Sequence, residues 1–209
     1  MLPKTAVDTK IVELIRSLQN KPYLEGFYLV GGTALALHLG HRRSVDIDLF
    51  SDFSFDAFGL LEQIQQDFSY RLSFTASNTL KGSISDINID IIAHRYHLID
   101  KPDTIQGIRL LSIPDIIAMK LNAISTSGQR SKDFIDIYYL LTIYRLEKML
   151  GFYKEKYNQE NTSFILKSLI YFEDVDLDDW PVLIENPSLK WVDVQKRIEK
   201  EVLDYARRA

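Results

Sequence analysis

Apolar residues recur at helical spacing at Ile11, Leu14, Ile15 and Leu18, so the chain is expected to open on an amphipathic helix. The run FYLV (27–30) then reads as a buried strand ending at Gly31-Gly32. TALALHLG (33–40) reads as a short helix capped by Thr33 and stopped by Gly40. SVDIDLFS (44–51) alternates, which predicts a strand with Val45, Ile47 and Leu49 on one face and Asp46 and Asp48 on the other. FDAFGLLEQIQQDF returns to helical spacing. Three strand-like runs follow, YRLSFTAS, TLKGSIS and INIDIIAH, separated by Asn78 and by Ser85-Asp86.

From Ser112 the pattern is almost wholly helical. Ser112 is a candidate N-cap, with Pro114 and Asp115 in the first turn. The later helical runs are SKDFIDIYYLLTIYRL, LEKMLGFYKEKY, NTSFILKSLIYF and VDVQKRIEKEVLDYARR, interrupted at Gly128, at the acidic stretch EDVDLDDWP and at ENPS. Strands crowd the first half and helices the second. The expectation is an α+β unit over residues 1–111 joined to a helical unit over 112–209. There is no βαβ rhythm of a doubly wound parallel sheet, and no internal repeat.

Composition narrows the class. With 209 residues and 46% hydrophobic content, the chain can build a sizeable core. It has no cysteine, which excludes disulfides and thiolate metal sites. Charges break every apolar run in MLPKTAVDTKIVELIRSLQ, and no stretch approaches the ~18 apolar residues of a membrane span, so a cytoplasmic protein without a membrane partner is expected. The formal charge of -4 argues against coating nucleic acid by charge alone. Any polyanion would meet the local clusters His41-Arg42-Arg43 and Arg130/Lys132.

The candidate chemistry begins at the glycine pair. Between a strand and a helix, two residues without Cβ let an anion approach backbone amides, with the Thr33 hydroxyl beside them. A tight turn is the structural alternative, and neither standard nucleotide fingerprint is present. Asp46 and Asp48, ~6.7 Å apart along one strand face, are suited to converge on hard cations and substrate phosphates. An exposed polar face, or a salt bridge to Arg42 or Arg43, is the alternative for this pair. Asp90 stands among Ile87, Ile89, Ile91 and Ile92, where a carboxylate needs a partner. In the helical half, Asp133 and Asp136 share a helix face, with Arg130 and Lys132 at its start. Lys120 lies between Met119 and Leu121; the alternative reading is a snorkelling surface lysine.

Taken together, strand, glycine pair, Thr33, helix, the DID of the next strand and a later strand aspartate resemble the polymerase-β-like nucleotidyltransferases. GGTALALHLGHRRSVDIDLF resembles the signature of the AbiEii/AbiGii toxin-like nucleotidyltransferases, known from phage-defence and type IV toxin–antitoxin systems. KLNAISTSGQRSKDFIDIYYLL resembles the second block of that family. The resemblance implies a mixed sheet flanked by helices, followed by a C-terminal helical bundle. It implies transfer of a nucleoside monophosphate from an NTP to an acceptor hydroxyl, RNA or tRNA, with an antitoxin protein as partner. By position it implies that Gly31, Gly32 and Thr33 cradle the triphosphate, with Arg43, Lys120 and Arg130 adding positive charge. Asp46, Asp48 and Asp90 would hold magnesium, or manganese in its place, with Asp90 as third ligand or base and Asp86 its competitor. Lys120 and Asp133 would complete the catalytic set. An inactive scaffold that grips nucleotide or antitoxin is the rival reading.

Other motifs point elsewhere less well. His94 and His97 form an HxxH without a further ligand nearby. Ser125, Thr126 and Ser127 lack hydrolase partners, and EDVDLDDW lacks the order of a calcium loop, so it reads as a solvated loop or partner contact. The aromatic residues are expected mainly in the core, not as a base-stacking platform.

Overall fold

The computed structural model describes residues 6–208. Residues 1–5, part of the charged opening stretch, and Ala209, at the end of the last helical run, lie outside the described residues. The first half runs α1 (Thr9–Gln19), β1 (Tyr28–Leu29), α2 (Gly31–Leu39), β2 (Ile47–Ser51), α3 (Ala57–Asp67), β3 (Arg71–Ala76), β4 (Thr79–Ile84) and β5 (Ile87–Ala93). A short hairpin of β6 (Asp103–Ile105) and β7 (Ile108–Leu110) ends the sheet. Five helices follow: α4 (Ile113–Thr126), α5 (Ser131–Leu140), α6 (Leu146–Tyr157), α7 (Ser163–Leu169) and α8 (Trp191–Ala206). The seven strands form one mixed sheet in the order β3-β4-β5-β2-β1-β7-β6. The fold is therefore α+β, as the crowding of strands into the first half implies.

Register places the chemistry. β2 runs parallel to β5 with Asp48 opposite Asp90, and β4 runs antiparallel to β5 with Lys81 opposite Asp90. The Val30 amide, at the end of β1, donates to the Asp48 carbonyl at 2.9 Å. Lys81, Asp90, Asp48 and the Gly31 turn thus stand in one row across the sheet. The alternate residues Ile47, Leu49, Ile89 and Ile91 are fully buried, and this two-residue alternation turns the carboxylates to the other face.

The buried core runs continuously from α1 and the sheet into the closing helices, through Leu35 of α2, Leu121 of α4 and Phe134 of α5. Asp115 helps pin the two halves. Its buried carboxylate takes Lys156 Nζ at 2.7 Å, the Ser112 hydroxyl at 2.6 Å and the Ile99 amide at 3.1 Å. The Ser112 hydroxyl accepts the Asp115 amide at 3.2 Å, which makes it the N-cap of α4.

Several expectations are corrected. β2 begins at Ile47, not Ser44, so Val45 is 58% exposed instead of inward. Helix α2 starts at Gly31 with Val30 as N-cap, and Thr33 caps nothing. The β6–β7 hairpin went unread because its strands are only three residues each; its turn is made by Gln106 and Gly107, both at positive φ. Helix α5 stops at Leu140, where the Thr142 hydroxyl donates back to the Tyr139 carbonyl at 2.6 Å. The acidic stretch after α7 is mostly exposed, as a solvated loop would be, but it is anchored by the Asp176 amide, which donates to the Gln129 carbonyl at 2.8 Å. The segment after it runs back to the sheet side, where the Arg43 amide donates to the Val182 carbonyl at 2.8 Å and the Ile184 amide to the His41 carbonyl at 2.8 Å.

Candidate active site

Gly31 sits at φ +68°, a conformation that disfavours side chains, and an added Cβ would lie 2.5 Å from Asp48 Oδ2. The missing Cβ therefore makes room for a carboxylate at the turn. At Gly32 the same hypothetical atom would collide with the Arg42 guanidinium. The glycine pair thus lets one acidic and one basic side chain close over the start of α2.

Both glycines line a cleft of about 560 Å³ that also takes in Asp46, Asp48, Lys120, Arg130 and Asp133, together with Arg43 and Lys132. Of the residues singled out from the sequence for the transfer site, Thr33, Asp90, Asp86 and Asp136 do not line this cleft, and His41 is buried behind it. Thr33 lies buried beneath: its hydroxyl donates to the Asp46 carbonyl and lies 2.9 Å from the Ser44 hydroxyl, so it braces the DID segment and faces no ligand space. Asp90 lines an adjoining chamber of about 330 Å³ that shares Gly31, Asp48, Lys120 and Arg130 with the first. Asp86, its competitor, sits in the β4–β5 turn at φ +65°, paired with Arg71 and exposed.

The acidic row is held open by its neighbours. Asp90 Oδ2 takes Lys81 Nζ at 2.7 Å, and Asp46 Oδ1 accepts from Asn88 Nδ2 at 3.0 Å. Burial, with Asp90 and Asp46 close by, pushes the Asp48 carboxyl up to about 6, although Lys120 and Arg130 pull it down. Among the described residues no three carboxylate or imidazole side chains already close around one point, so the expected trio Asp46, Asp48 and Asp90 is not a finished metal cage. The donors nonetheless fit a hard divalent cation. Magnesium is held by one or two carboxylates plus substrate phosphates, and the raised Asp48 group marks negative charge that a cation would offset.

The basic side is built from α4, α5 and the segment before β2. Asp136 is fully buried and receives His41 Nε2 at 2.8 Å, Arg42 Nε at 2.7 Å and Lys120 Nζ at 2.7 Å. Its burial favours the neutral form, but Arg42, Lys120 and His41 outweigh that and hold the carboxyl well below the usual range. Asp133 divides its oxygens between Lys120 Nζ at 2.6 Å and Arg130 Nε at 2.9 Å. Both aspartates therefore position cations, and neither has the free oxygen of a base. Lys132 is paired at 2.6 Å with Asp179 of the acidic stretch. Arg43 lines the cleft and carries no carboxylate partner among the described residues.

Sequence reasoning missed Lys81 and Asn88, and it offered His41 and Arg42 to a polyanion although both are buried against Asp136. Lys81 had a signal: a two-residue turn at Ser85-Asp86 sets it opposite Asp90. The His41–Asp136 contact had none, since it joins segments far apart in the chain.

A glycine turn opening a helix, carboxylates in register on adjacent strands and a basic helical wall are the features that resemble the nucleotidyltransferases. The family described as "Nucleotidyl transferase AbiEii toxin, Type IV TA system" matches residues 13–70 and 56–208, and the chain belongs to it. It is 33% identical over 188 residues to an uncharacterised protein of Aquifex aeolicus, covering 86% of this chain and 87% of that one. Two solved structures share the fold. MenT4, a nucleotidyltransferase toxin of Mycobacterium tuberculosis, superposes with a TM-score of 0.61 at 15% identity, over 92% of this chain and 81% of its own. JHP933 of Helicobacter pylori gives 0.58 at 18% identity, over 95% and 90%. The protein is a nucleotidyltransferase. No helix among the described residues is long and apolar enough to cross a membrane.

Proposed function

We propose that this chain moves a nucleoside monophosphate from an NTP to a hydroxyl of RNA, tRNA being the acceptor that family membership favours. In the cell it would act as the cytoplasmic toxin of a type IV toxin–antitoxin or phage-defence pair, with an antitoxin protein as partner. The cleft between the halves 1–111 and 112–209 is the site. One observation carries the reading: Asp48 and Asp90 stand in register beside the Gly31 turn, facing a wall of held cations.

The triphosphate lies along the first lobe, where Arg43 and Arg130 meet its charge and Lys132 joins them on leaving Asp179. Gly31 and Gly32 let it approach the start of α2. Lys120, locked between Asp133 and Asp136, offers fixed positive charge at the junction of the two lobes. Magnesium, or manganese in its place, would be held by Asp46 and Asp48 and supply Lewis-acid neutralisation of the phosphates. The acceptor oxygen attacks the α-phosphorus, the bond to the bridging oxygen of the β-phosphate breaks, and pyrophosphate departs. The hydroxyl proton passes to Asp90 Oδ1, the oxygen that Lys81 leaves free.

The test is incubation with each α-labelled NTP, magnesium and total cell RNA. Label in RNA with matching pyrophosphate release supports the reading. Nucleotide bound without turnover would instead favour an inactive scaffold.

A further inference from the structure

Phe53 and Phe55, just past the end of β2, take no part in the transfer chemistry. Because β1 and β2 are antiparallel, with Tyr28 opposite Phe50, they meet Phe27 at the start of β1. The Gly31 turn and Asp48 belong to the other end of the same strand pair, where the Val30 amide meets the Asp48 carbonyl.

Phe27, 2% exposed, is the floor of this corner, while Phe53 is 42% exposed. The Phe53 ring is inclined to Phe27 at 77° with centroids 5.4 Å apart, and the Phe55 ring at 70° and 5.3 Å. Both are favourable edge-to-face contacts, and they raise two aromatic walls on one base. Tyr23 and Leu60 join them around a groove of about 440 Å³, inside the range of ligand pockets, about 300–1,000 Å³. The walls are fixed in advance. A Cβ added at Gly26, φ +76°, would lie 2.8 Å from Phe53 Cε1, so the ring rests against bare backbone. The Ser51 hydroxyl donates to the Phe53 carbonyl at 2.8 Å, and the Phe55 amide to Asn78 Oδ1 at 2.7 Å. A groove held this way loses little freedom when a ligand enters.

Charge decides the kind of ligand. Glu25 and Asp56 line the same groove, and neither has a basic partner among the described residues. Asp56 accepts only the Phe58 and Gly59 amides, at 3.1 and 3.2 Å. Lys21, two residues from Tyr23, is held by Asp67 at 2.9 Å, and Asp67 also accepts the Tyr23 hydroxyl at 2.7 Å. Aromatic faces and carboxylates both attract cations. A phosphate or an RNA strand would be repelled here, and a purely apolar ligand would leave both carboxylates without a counter-charge.

We infer that this groove is a binding site for an organic cation, a guanidinium or alkylammonium group, which lies against the Phe53 and Phe55 rings with Glu25 and Asp56 as counter-charges. The cation arrives on a free small molecule or on an arginine or lysine of another protein, and the test has an arm for each source. The site is separate from the transfer cleft and does not depend on the transferase reading.

The experiment follows NMR shifts of the full chain during titration with four probes: N-acetyl-arginine amide, tetramethylammonium, a capped pentapeptide with arginine between glycines, and that peptide with citrulline for arginine. Citrulline keeps the shape of arginine and removes the charge. Saturable shifts at the Gly26 and Gly59 amides are expected with the cationic probes, and a Kd about tenfold or more weaker with citrulline. Phe53→Leu keeps apolar bulk without the aromatic face, and Glu25→Gln removes one charge. Each variant, checked by thermal melting, should raise the Kd of the arginine peptide about threefold or more. A saturating non-hydrolysable NTP should leave that Kd unchanged. Tighter binding of the peptide than of arginine amide assigns the cation to a protein, and the reverse assigns it to a small molecule. Should Phe53→Leu fail to fold, Glu25→Gln and the citrulline comparison carry the test. No saturable shift with the cationic probes up to about 50 mM would overturn the inference. Equal binding of citrulline, a Kd that the folded variants leave unmoved, or displacement by the NTP would overturn it too.

Discussion

Asp48 and Asp90 are Cα partners across the parallel β2–β5 pair, and both line the chamber that opens onto the Gly31 turn. Burial of the Asp48 carboxyl, with the Asp90 charge beside it, is the most accessible physical signature of the site.

Folding raises the Asp48 carboxyl from 3.8 to about 6, so between those values the folded chain holds a proton that the unfolded chain has lost. Stability therefore falls as pH rises through that window, and the ionised group remains a cost above it. Asp48→Asn is expected to melt higher than the parent at about pH 8, with the gap closing as pH falls toward about 4. Magnesium should raise the melting temperature of the parent at about pH 8 and leave Asp48→Asn nearly unmoved. Thermal melts across pH, with and without the ion, check both statements.

Asp136 is a buried anion serving three basic groups. Asp136→Ala would strand the buried Arg42 without its counter-charge and leave Lys120 with Asp133 alone, and a loss of about 3–5 kcal/mol in denaturant unfolding is expected. Replacing Asp133, whose partner Arg130 reaches solvent, should cost less stability and more activity.

At the turn, Gly31→Ala adds an atom toward Asp48 Oδ2 and demands a left-handed backbone from alanine. The expected cost is more than about 1 kcal/mol of stability. Transfer should fall by about 100-fold or more in the folded variant, because Asp48 must move. A kinetic assay beside a melt separates the two effects.

Lys132 is tied to Asp179 at the mouth. Asp179→Asn should free it for phosphate and tighten NTP binding by up to about fivefold, the range of an exposed pair of about 0.2–1 kcal/mol. Calorimetry at low salt would show the gain, and added salt should erase it.

Much of this was legible in the chain because it rests on local period. The alternation in VDIDLFS and INIDIIA put carboxylates opposite buried isoleucines and leucines, and the Ser112 cap marked the start of α4. What stayed hidden depends on long-range contact. Nothing local to Asp136 says that His41 and Arg42 reach it, nor that the acidic stretch around Asp179 returns to the cleft mouth. Thr33 misled for the opposite reason: a hydroxyl beside a glycine pair suits a phosphate, but the helix starts two residues earlier and turns it inward to the Asp46 carbonyl.

The most direct measurement is nucleotide transfer by purified parent, Asp46→Asn and Asp48→Asn chains, each shown to be folded, with α-labelled NTP, magnesium and cell RNA. Label in RNA, equimolar pyrophosphate from the parent, and a loss of about 100-fold or more in both variants are expected. Full transfer by either folded variant would contradict the assignment of those carboxylates to the reaction.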